Sequence, residues 1–276
     1  MKKGMISLAT LELRQSLRSP AFWGYSLLFG SFVALMFAFG ITESQIIGFV
    51  GLSRLMVTFM QVTMVILPIY ILISTVRAVV GDRESNVMEY ILSLPISFSG
   101  YYWAKFWAKF IEIFIPVFMA FLGAVIWGSI SNIDVPWDLF AYYSMLLVSM
   151  VVCFVGIAMY ISARAKSQNM AISTVFILWL LLVAFLDLIL MGLMLKTRMD
   201  AHVVIFIGMI NPLQVFRTAT LALFDPKLTV MGPASYYILD TISRLWFIIF
   251  AIAYPIIIGI GSAFLGNRYF KRNDII

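Results

Sequence analysis

The sequence predicts an all-α, polytopic membrane protein, with a single transmembrane domain over residues 1–276 and six transmembrane helices. Of the 276 residues, 63% are hydrophobic and only 12% are charged, and the mean hydropathy is +1.02. Soluble domains carry about 25% charged residues, so this chain has too few to cover itself in water. Six apolar runs are each about as long as the 20 residues that cross a bilayer as a helix. They are Ala21–Ile41, Met56–Val76, Phe106–Ser131, Leu139–Ile161, Ala171–Leu195 and Ser243–Leu265.

The distribution of Lys and Arg predicts the orientation of these helices. Six spans place both termini on one side of the membrane. If that side is the cytoplasm, its segments hold 13 of the 19 Lys and Arg residues, and the outer segments hold 6. Cytoplasmic loops are enriched in basic residues, so we expect a bacterial inner-membrane protein with both termini inside. Gly81–Lys105 and the turn Ser162–Met170 are then cytoplasmic, and residues 196–242 form a periplasmic cap. The net charge of +6 therefore indicates topology rather than nucleic-acid binding.

A basic helix is predicted before the first span, within residues 1–20. Ile6, Leu13 and Leu17 recur at helical spacing beside Arg14 and Arg18. Such a pattern is typical of an amphipathic helix that lies on the inner membrane surface in contact with lipid. A short helical stub is the alternative.

Gly81–Lys105 is predicted to contain a short amphipathic helix over Asp82–Leu94. Asp82 is the expected N-cap, Glu84 places a negative charge in the first turn, and Pro95 stops the helix. Its apolar residues at helical spacing are Val87, Met88, Ile91 and Leu92, and its polar residues are Asn86, Glu89 and Ser93. A helix of about 12 residues is marginal alone in water, so we expect it to pack against its own spans or in the groove of a partner.

Two further segments are candidates for contacts outside the bundle. The basic turn of Arg164, Lys166 and Gln168 is suited to contact with a partner or with lipid headgroups, or it is only a topology signal. His202–Ile210 is apolar but too short to span, and Asn211–Pro212 interrupts it, which predicts re-entrant or interfacial helices in the periplasmic cap.

Two ionisable residues lie inside apolar runs. Glu112 follows Lys109 at i+3 spacing, which predicts a local ion pair. Asp187 lies deeper, in the fifth run, where a charge costs about 2.5–3.5 kcal/mol at the bilayer centre. We therefore expect Asp187 to face a cavity, a cation or an arginine of another span.

The sequence predicts no metal site and no catalytic site. Thiolate, thioether and imidazole ligands suit copper, but Cys153 is the single cysteine and His202 the single histidine. The methionines near the outer end of the fifth span are Met191, Met194, Met199 and Met209. Methionine in so apolar a chain serves mainly in packing. The sequence contains no Gly-rich phosphate loop and no nucleophile–base arrangement, so we expect a non-catalytic subunit that holds no cofactor itself.

Two motifs resemble those of ABC type-2 permeases. The first is Glu84-Ser-Asn-Val-Met-Glu-Tyr-Ile-Leu-Ser-Leu-Pro-Ile-Ser97, followed by Ala104–Lys105. The second is Asn211-Pro-Leu-Gln-Val-Phe-Arg217, before the last span. Asn86–Val87 stands where the family often has Gly–Thr. The order of the two motifs, the six spans and the N-terminal helix also fit that family.

The resemblance implies that Asp82–Leu94 is a coupling helix seated in a groove of a separate ATPase subunit. Its coupling residues would be Asp82, Arg83, Glu84, Asn86, Glu89, Tyr90, Leu94 and Pro95. A second cytoplasmic contact would use Arg164, Lys166 and Gln168. A periplasmic gate or partner contact would use His202, Asn211, Pro212, Phe216 and Arg217. The implied partners are two ATPase copies, which bind ATP and Mg, and a second copy of this chain.

Within that family the sequence resembles permeases that serve copper-site assembly of periplasmic nitrous oxide reductase. This implies a periplasmic copper-handling accessory protein as a further partner, and either transport or mechanical signalling across the membrane. Export of a drug, lipid or polysaccharide is the alternative, followed by a secondary transporter without an ATPase, or a simple membrane anchor. Secondary transporters usually contain internal repeats and several charges at mid-membrane depth. The sequence contains no convincing repeat.

Overall fold

A computed structural model describes residues 2–38, 52–93, 96–131, 135–185, 208–222 and 244–273, and every regular element among them is helical. The helices in chain order are α1 Lys2–Leu17, α2 Pro20–Ala38, α3 Leu52–Glu84, α4 Val87–Leu92, α5 Phe98–Ile130, α6 Trp137–Arg164, α7 Gln168–Leu180, α8 Pro212–Ala222 and α9 Arg244–Asn273. A π-helical turn, Leu181–Phe185, continues α7. The described residues therefore confirm the all-α class.

In the described part of the chain, four helices are long and apolar enough to cross a membrane, namely α3, α5, α6 and α9. The pair α1–α2 is bent by 66° and gives a fifth span if the two helices are counted together. The predicted fifth run, Ala171–Leu195, is described only in part, as a shorter apolar helix over Gln168–Val183. The described residues thus contain four or five helices that can span a membrane, which is consistent with a polytopic membrane protein, and six spans stay a prediction.

The helices around the predicted coupling segment are longer than the apolar runs. α3 continues past Val76 to Glu84, and α5 begins at Phe98 rather than Phe106. Hydropathy marks only the part of a helix that lies in hydrocarbon. Polar residues extend both helices because they find hydrogen-bonding partners on neighbouring helices, as described below. About half of the predicted insert Gly81–Lys105 is therefore a continuation of α3 and α5.

Serine residues start three of the helices. The hydroxyls of Ser19, Ser97 and Ser167 each accept a hydrogen bond from the backbone N–H three residues later, at 3.1, 3.1 and 3.2 Å. A side-chain oxygen at this position satisfies one of the N–H groups that have no partner within the helix. These caps fix the points at which α2, α5 and α7 begin.

The N-terminal helix packs on α5 and leaves part of its predicted apolar stripe exposed. Leu8 is buried, whereas Ile6 and Leu17 of the predicted apolar stripe are exposed. The face toward α5 also includes the half-buried Glu12 and Ser16, which bond to α5. Leu8 and these polar contacts together set the rotation of α1, which leaves Ile6 and Leu17 facing outward. Contact of that stripe with lipid stays a prediction.

The closest helix packing joins α6 and α9. A Cβ added at Gly156 would overlap the Gly259 carbonyl oxygen, and one added at Gly259 would lie 2.6 Å from the Cα of Cys153. Ser149 also donates a hydrogen bond from its hydroxyl to the Ile252 carbonyl at 2.9 Å. Small residues let helix backbones approach closely where lipid provides no hydrophobic driving force. This contact makes α6 and α9 one rigid pair.

The start of α5, the end of α6 and the end of α9 meet at one end of the bundle. The Phe270 ring stacks on Tyr101 at 5.6 Å between centroids. A Cβ at Gly266 would lie 2.9 Å from the Cα of Tyr160. Because α1 packs on the start of α5, the N-terminal helix and the end of α9 both lie at the end that carries α4. We call this the α4 end of the bundle.

Because α6 and α9 are in close contact, one methyl group added at Gly259 should strongly lower the stability of the protein. Gly259→Ala should lower the melting temperature of the detergent-purified chain, because overpacking costs about 1–3 kcal/mol. Gly261→Ala is the matched control, since nothing lies within 4 Å of its Cβ position. Thermal unfolding followed by tryptophan fluorescence measures both. Equal melting temperatures for the two variants would contradict the close contact.

Candidate functional site

The predicted coupling helix is shorter than expected and begins later. α4 covers only Val87–Leu92, and its N-cap is Asn86 rather than Asp82. Asn86 has φ 58° and ψ 10°, the left-handed conformation that asparagine and glycine tolerate best. The kink at Asn86 ends α3 and redirects the chain into α4. Asp82 and Glu84 therefore lie in the last turn of α3. The predictions that Asp82 is the N-cap of the short helix and that Glu84 lies in its first turn are wrong.

One face of α4 is anchored and the other is open. Met88 and Ile91 are partly buried against the hydrophobic core. Val87 is 42% exposed, Tyr90 is 74% exposed, and Glu89 is exposed beside them. Exposed tyrosine is enriched at protein-binding surfaces. We call Val87, Glu89 and Tyr90 the α4 face.

A buried lysine connects three helices below α4. Lys105, at the start of α5, is only 4% exposed. Its Nζ lies 2.7 Å from Glu12 Oε1 on α1 and 2.8 Å from Asp82 Oδ2 on α3. Tyr101 donates from its hydroxyl to the same Asp82 oxygen at 2.7 Å. The four residues form the Lys105 cluster, which ties α1, α3 and α5 together at the α4 end.

The last turn of α3 also forms hydrogen bonds with the turn between α6 and α7. Arg83 donates from Nη1 to the Ala165 carbonyl at 3.0 Å and from Nη2 to the Ala163 carbonyl at 3.3 Å. The Gln168 backbone N–H donates to Glu84 Oε1 at 3.0 Å. A cation therefore faces the end of α6 and an anion faces the start of α7, which suits both helix dipoles.

The hydroxyl of Ser162 strengthens this attachment one turn before the end of α3. The backbone N–H groups of Val79 and Val80 donate to the buried Ser162 hydroxyl at 3.0 and 3.1 Å. The side chain of Gln168 packs near Gly81, with its carbonyl carbon 3.7 Å from the position of an added Cβ. The end of α3 is thus held along two turns by the end of α6 and the start of α7.

A second ion pair lies beside the Lys105 cluster. Lys109 Nζ lies 2.8 Å from Glu112 Oε2, which confirms the i, i+3 pair predicted from spacing. Ser16 of α1 donates to the same Glu112 oxygen at 2.7 Å. The carboxylate therefore has a local cation and a hydrogen bond from another helix, which compensates for its burial.

The short helix α8 lies at the opposite end of the bundle and is fixed at both of its ends. Asn211 Oδ1 accepts from the Leu213 N–H at 3.0 Å, and Asn211 Nδ2 donates to the Leu182 carbonyl, in the π-helical turn, at 2.7 Å. The hydroxyls of Tyr142 and Tyr143 donate to carbonyls in the last turns of α8, at 3.1 and 2.7 Å. These bonds join α8 to α6 and to the end of α7.

Residues 6–275 match the family described as ABC-2 family transporter protein. The chain belongs to this family. It is therefore the membrane permease component of an ABC transporter, a type of component that is generally not catalytic itself and that works with an ATPase subunit. No curated protein matches the chain.

The predicted coupling residues of this permease differ in their surroundings. Glu89 and Tyr90 are exposed on α4 and are available to another protein. Asp82, Arg83 and Glu84 bond to the permease's own helices. Asn86 sets the direction of α4. Leu94 and Pro95 lie outside the described residues.

The three residues of the second predicted cytoplasmic contact also differ in how accessible they are. Lys166 is exposed. Arg164 is exposed but donates to the Tyr160 hydroxyl at 2.6 Å, and its guanidinium lies 5.4 Å from the centroid of the Tyr269 ring. Gln168 contributes its backbone N–H to Glu84. Of the three, Lys166 is the most available to a partner.

The predicted gate residues on the opposite end are mostly internal. Asn211, Pro212 and Phe216 are buried, so a docked partner reaches them only if α8 moves. Arg217 is exposed. His202, Asp187 and the predicted methionines Met191, Met194 and Met199 lie outside the described residues.

No group of three His, Cys, Asp or Glu side chains suited to a metal ion occurs in the part of the chain that the structure describes. Cys153 is buried in α6, directly beside Gly259 of α9. Its thiol therefore lies in the tightest part of the helix packing.

Sequence reasoning missed Glu12 as a site residue. It is the single carboxylate in a helix that otherwise carries basic and neutral residues. A lone carboxylate in α1 and a lysine near the start of α5 were the only features of the sequence that indicated this pair. Its partner became visible only when α1 was placed against α5.

The Lys105 cluster predicts a large loss of stability when its cation is removed. Lys105→Met leaves two carboxylates without compensation, and breaking a buried pair costs about 3–5 kcal/mol. The melting temperature of the purified permease should fall, and the amides of α1 should exchange faster with deuterium. Adding Glu12→Gln and Asp82→Asn should recover part of the loss. Lys271→Met, at an exposed lysine of α9, is the control, and a melting temperature equal to that control would contradict the role of the cluster.

Proposed function

We propose that α4 is the coupling helix of this permease and that its exposed face docks in a groove of a separate ATPase subunit. One observation carries the proposal: Met88 and Ile91 fix α4 to the bundle while Val87, Glu89 and Tyr90 stay exposed. A helix of six residues does not hold its shape without such an anchor. The open face suits a partner that applies force, because the anchored face passes that force to the bundle.

The contacts behind α4 support a rigid response to that force. α3 is continuous over 33 residues, from Leu52 to Glu84. Its last turn is bonded to α1 and α5 through the Lys105 cluster and to the α6–α7 turn through Arg83 and Glu84. Packed helices switch between discrete arrangements rather than deforming continuously. Closure of the ATPases would therefore move these helices as a unit.

In this proposal the permease sits in a bacterial inner membrane with both termini in the cytoplasm. The bias of Lys and Arg supports this orientation. α1 and the end of α9 both lie at the α4 end of the bundle. This supports the placement of both termini on the same side of the membrane. Two copies of the chain would meet two ATPases, which bind ATP and Mg, since closed twofold assemblies are common. Lys166 would add a second contact to the ATPase, beside α4.

We also propose that the complex serves copper-site assembly of periplasmic nitrous oxide reductase, with a copper-handling accessory protein at the outer face. The support is the sequence resemblance to permeases of that system. Transport of a copper or sulfur species and mechanical signalling to the accessory protein are both compatible with it. Gating at α8, through Asn211, Pro212, Phe216, Arg217 and the outer segment with His202, would be the outward step. Export of a drug, lipid or polysaccharide is the alternative.

Changes on the α4 face should weaken ATPase binding without unfolding the permease. Tyr90→Ala and Glu89→Lys should each lower the affinity for the ATPase about tenfold or more, because a central interface tyrosine or charge is often worth 2 kcal/mol. Co-purification and permease-stimulated ATP hydrolysis measure the loss.

Lys271→Glu is the control for this experiment. It reverses an exposed charge in the last turn of α9, at the α4 end but outside the α4 face. Its ATPase affinity should be unchanged. If the Tyr90 and Glu89 variants bind the ATPase as tightly as this control, the docking proposal is wrong.

The copper proposal has a separate test in the native cell. Deletion of the gene should yield nitrous oxide reductase that is exported but lacks copper, and the intact gene should restore the copper content. Metal analysis of the purified reductase measures this. A fully loaded reductase from the deletion strain would favour export of another cargo and leave the coupling proposal untouched.

A further inference from the structure

A cleft of about 710 Å³ opens between α1, α2, α3 and α5, next to the Lys105 cluster. Its polar end is lined by Glu12, Ser16, Arg77, Lys109 and Glu112. Its other end follows α3 and is lined by Ile66, Ile69 and Ile73, beside Tyr70. The cleft therefore changes from charged to apolar along its length, as an amphiphile does.

At the polar end of the cleft, one cation has no partner among the residues that the structure describes. Glu112 is bonded to Lys109 and Ser16, and Glu12 is bonded to Lys105. Arg77 is exposed and forms no hydrogen bond or ion pair with any residue that the structure describes. Both carboxylates at this end are already neutralised by a lysine, so the guanidinium of Arg77 is available to a ligand. The group that it would recognise is an anion.

The length of the cleft fits half of a bilayer. A helix rises 1.5 Å per residue, so Ile66 and Arg77 are about 16.5 Å apart along the axis of α3. Half of the roughly 30 Å hydrocarbon core is about 15 Å. Arg77 lies less than two turns from the end of α3, near the depth of the headgroups if α3 crosses the membrane. The three isoleucines then lie at the depth of an acyl chain.

We propose that this cleft binds one anionic phospholipid of the leaflet at the α4 end. Its phosphate pairs with Arg77, with Lys109 beside it, and one acyl chain lies along Ile66, Ile69 and Ile73. The lipid also touches α1, because Glu12 and Ser16 line the same cleft. Bound lipid would hold α1 against α3, so this site is distinct from ATPase docking on α4.

Native mass spectrometry of the full-length chain in detergent tests the site. The probes are phosphatidylglycerol and phosphatidylcholine with identical acyl chains. Phosphatidylglycerol should bind more tightly, and Arg77→Gln should weaken it about fivefold, as expected for one basic residue near an anionic headgroup. Arg77→Lys keeps the charge and should retain the preference. Arg272→Gln, at an exposed arginine in the last turn of α9, should change nothing.

Two further arms separate a lipid from a free phosphate. Glycerol 3-phosphate has the anionic group without the chains, and it should not displace phosphatidylglycerol at equal concentration. Ile69→Trp fills the apolar end and should weaken both lipids equally. Displacement by glycerol 3-phosphate would show a site for a soluble anion and overturn the lipid assignment. Equal binding of the two lipids, or equal loss from Arg77→Gln and Arg272→Gln, would also overturn it.

Discussion

The ammonium group of Lys105 is the contact on which the α4 end of the bundle depends. Removing an ion from water costs several kcal/mol, and the attraction of a partner offsets this only when the geometry is good. Lys105 has two carboxylates within 2.8 Å, and one of them also accepts the Tyr101 hydroxyl. Each carboxylate belongs to a different helix, so α1, α3 and α5 have one register in which all these groups are satisfied. The cluster thus specifies an arrangement more than it adds stability.

Two kinds of contact hold the rest of the bundle. α6 and α9 are joined by backbone proximity at Gly156 and Gly259, where no side chain intervenes. The α6–α7 turn is joined to α3 by Arg83 and Glu84, whose opposite charges match the two helix ends that they face. The first contact resists sliding because the backbones interlock, and the second places the turn beside α4. α4 follows directly on this end of α3 and is therefore connected through it to most of the described helices.

Sequence patterns predicted the membrane class, the family, most of the spans and the Lys109–Glu112 pair. Apolar runs and an i, i+3 spacing are local patterns, and local patterns can be interpreted without knowledge of the fold. The prediction failed for the start and the length of α4, which was expected to begin at Asp82. Asp82 has the chemistry of an N-cap, but its carboxylate is used by Lys105 and Tyr101 instead. Asn86, standing where the family often has Gly, takes the left-handed conformation that glycine also tolerates.

The sequence by itself determined that this chain enters a membrane, that it belongs with permeases, and that a short polar segment interrupts its spans. Those properties follow from residue type and spacing along the chain. The tertiary structure decided which charges in that segment face inward and which remain for a partner. Glu12, Asp82 and Lys105 are far apart in sequence, and a buried ion pair depends on distance in space. The same reason explains why Tyr90 and Arg77 were distinguishable from other polar residues only after the helices were packed.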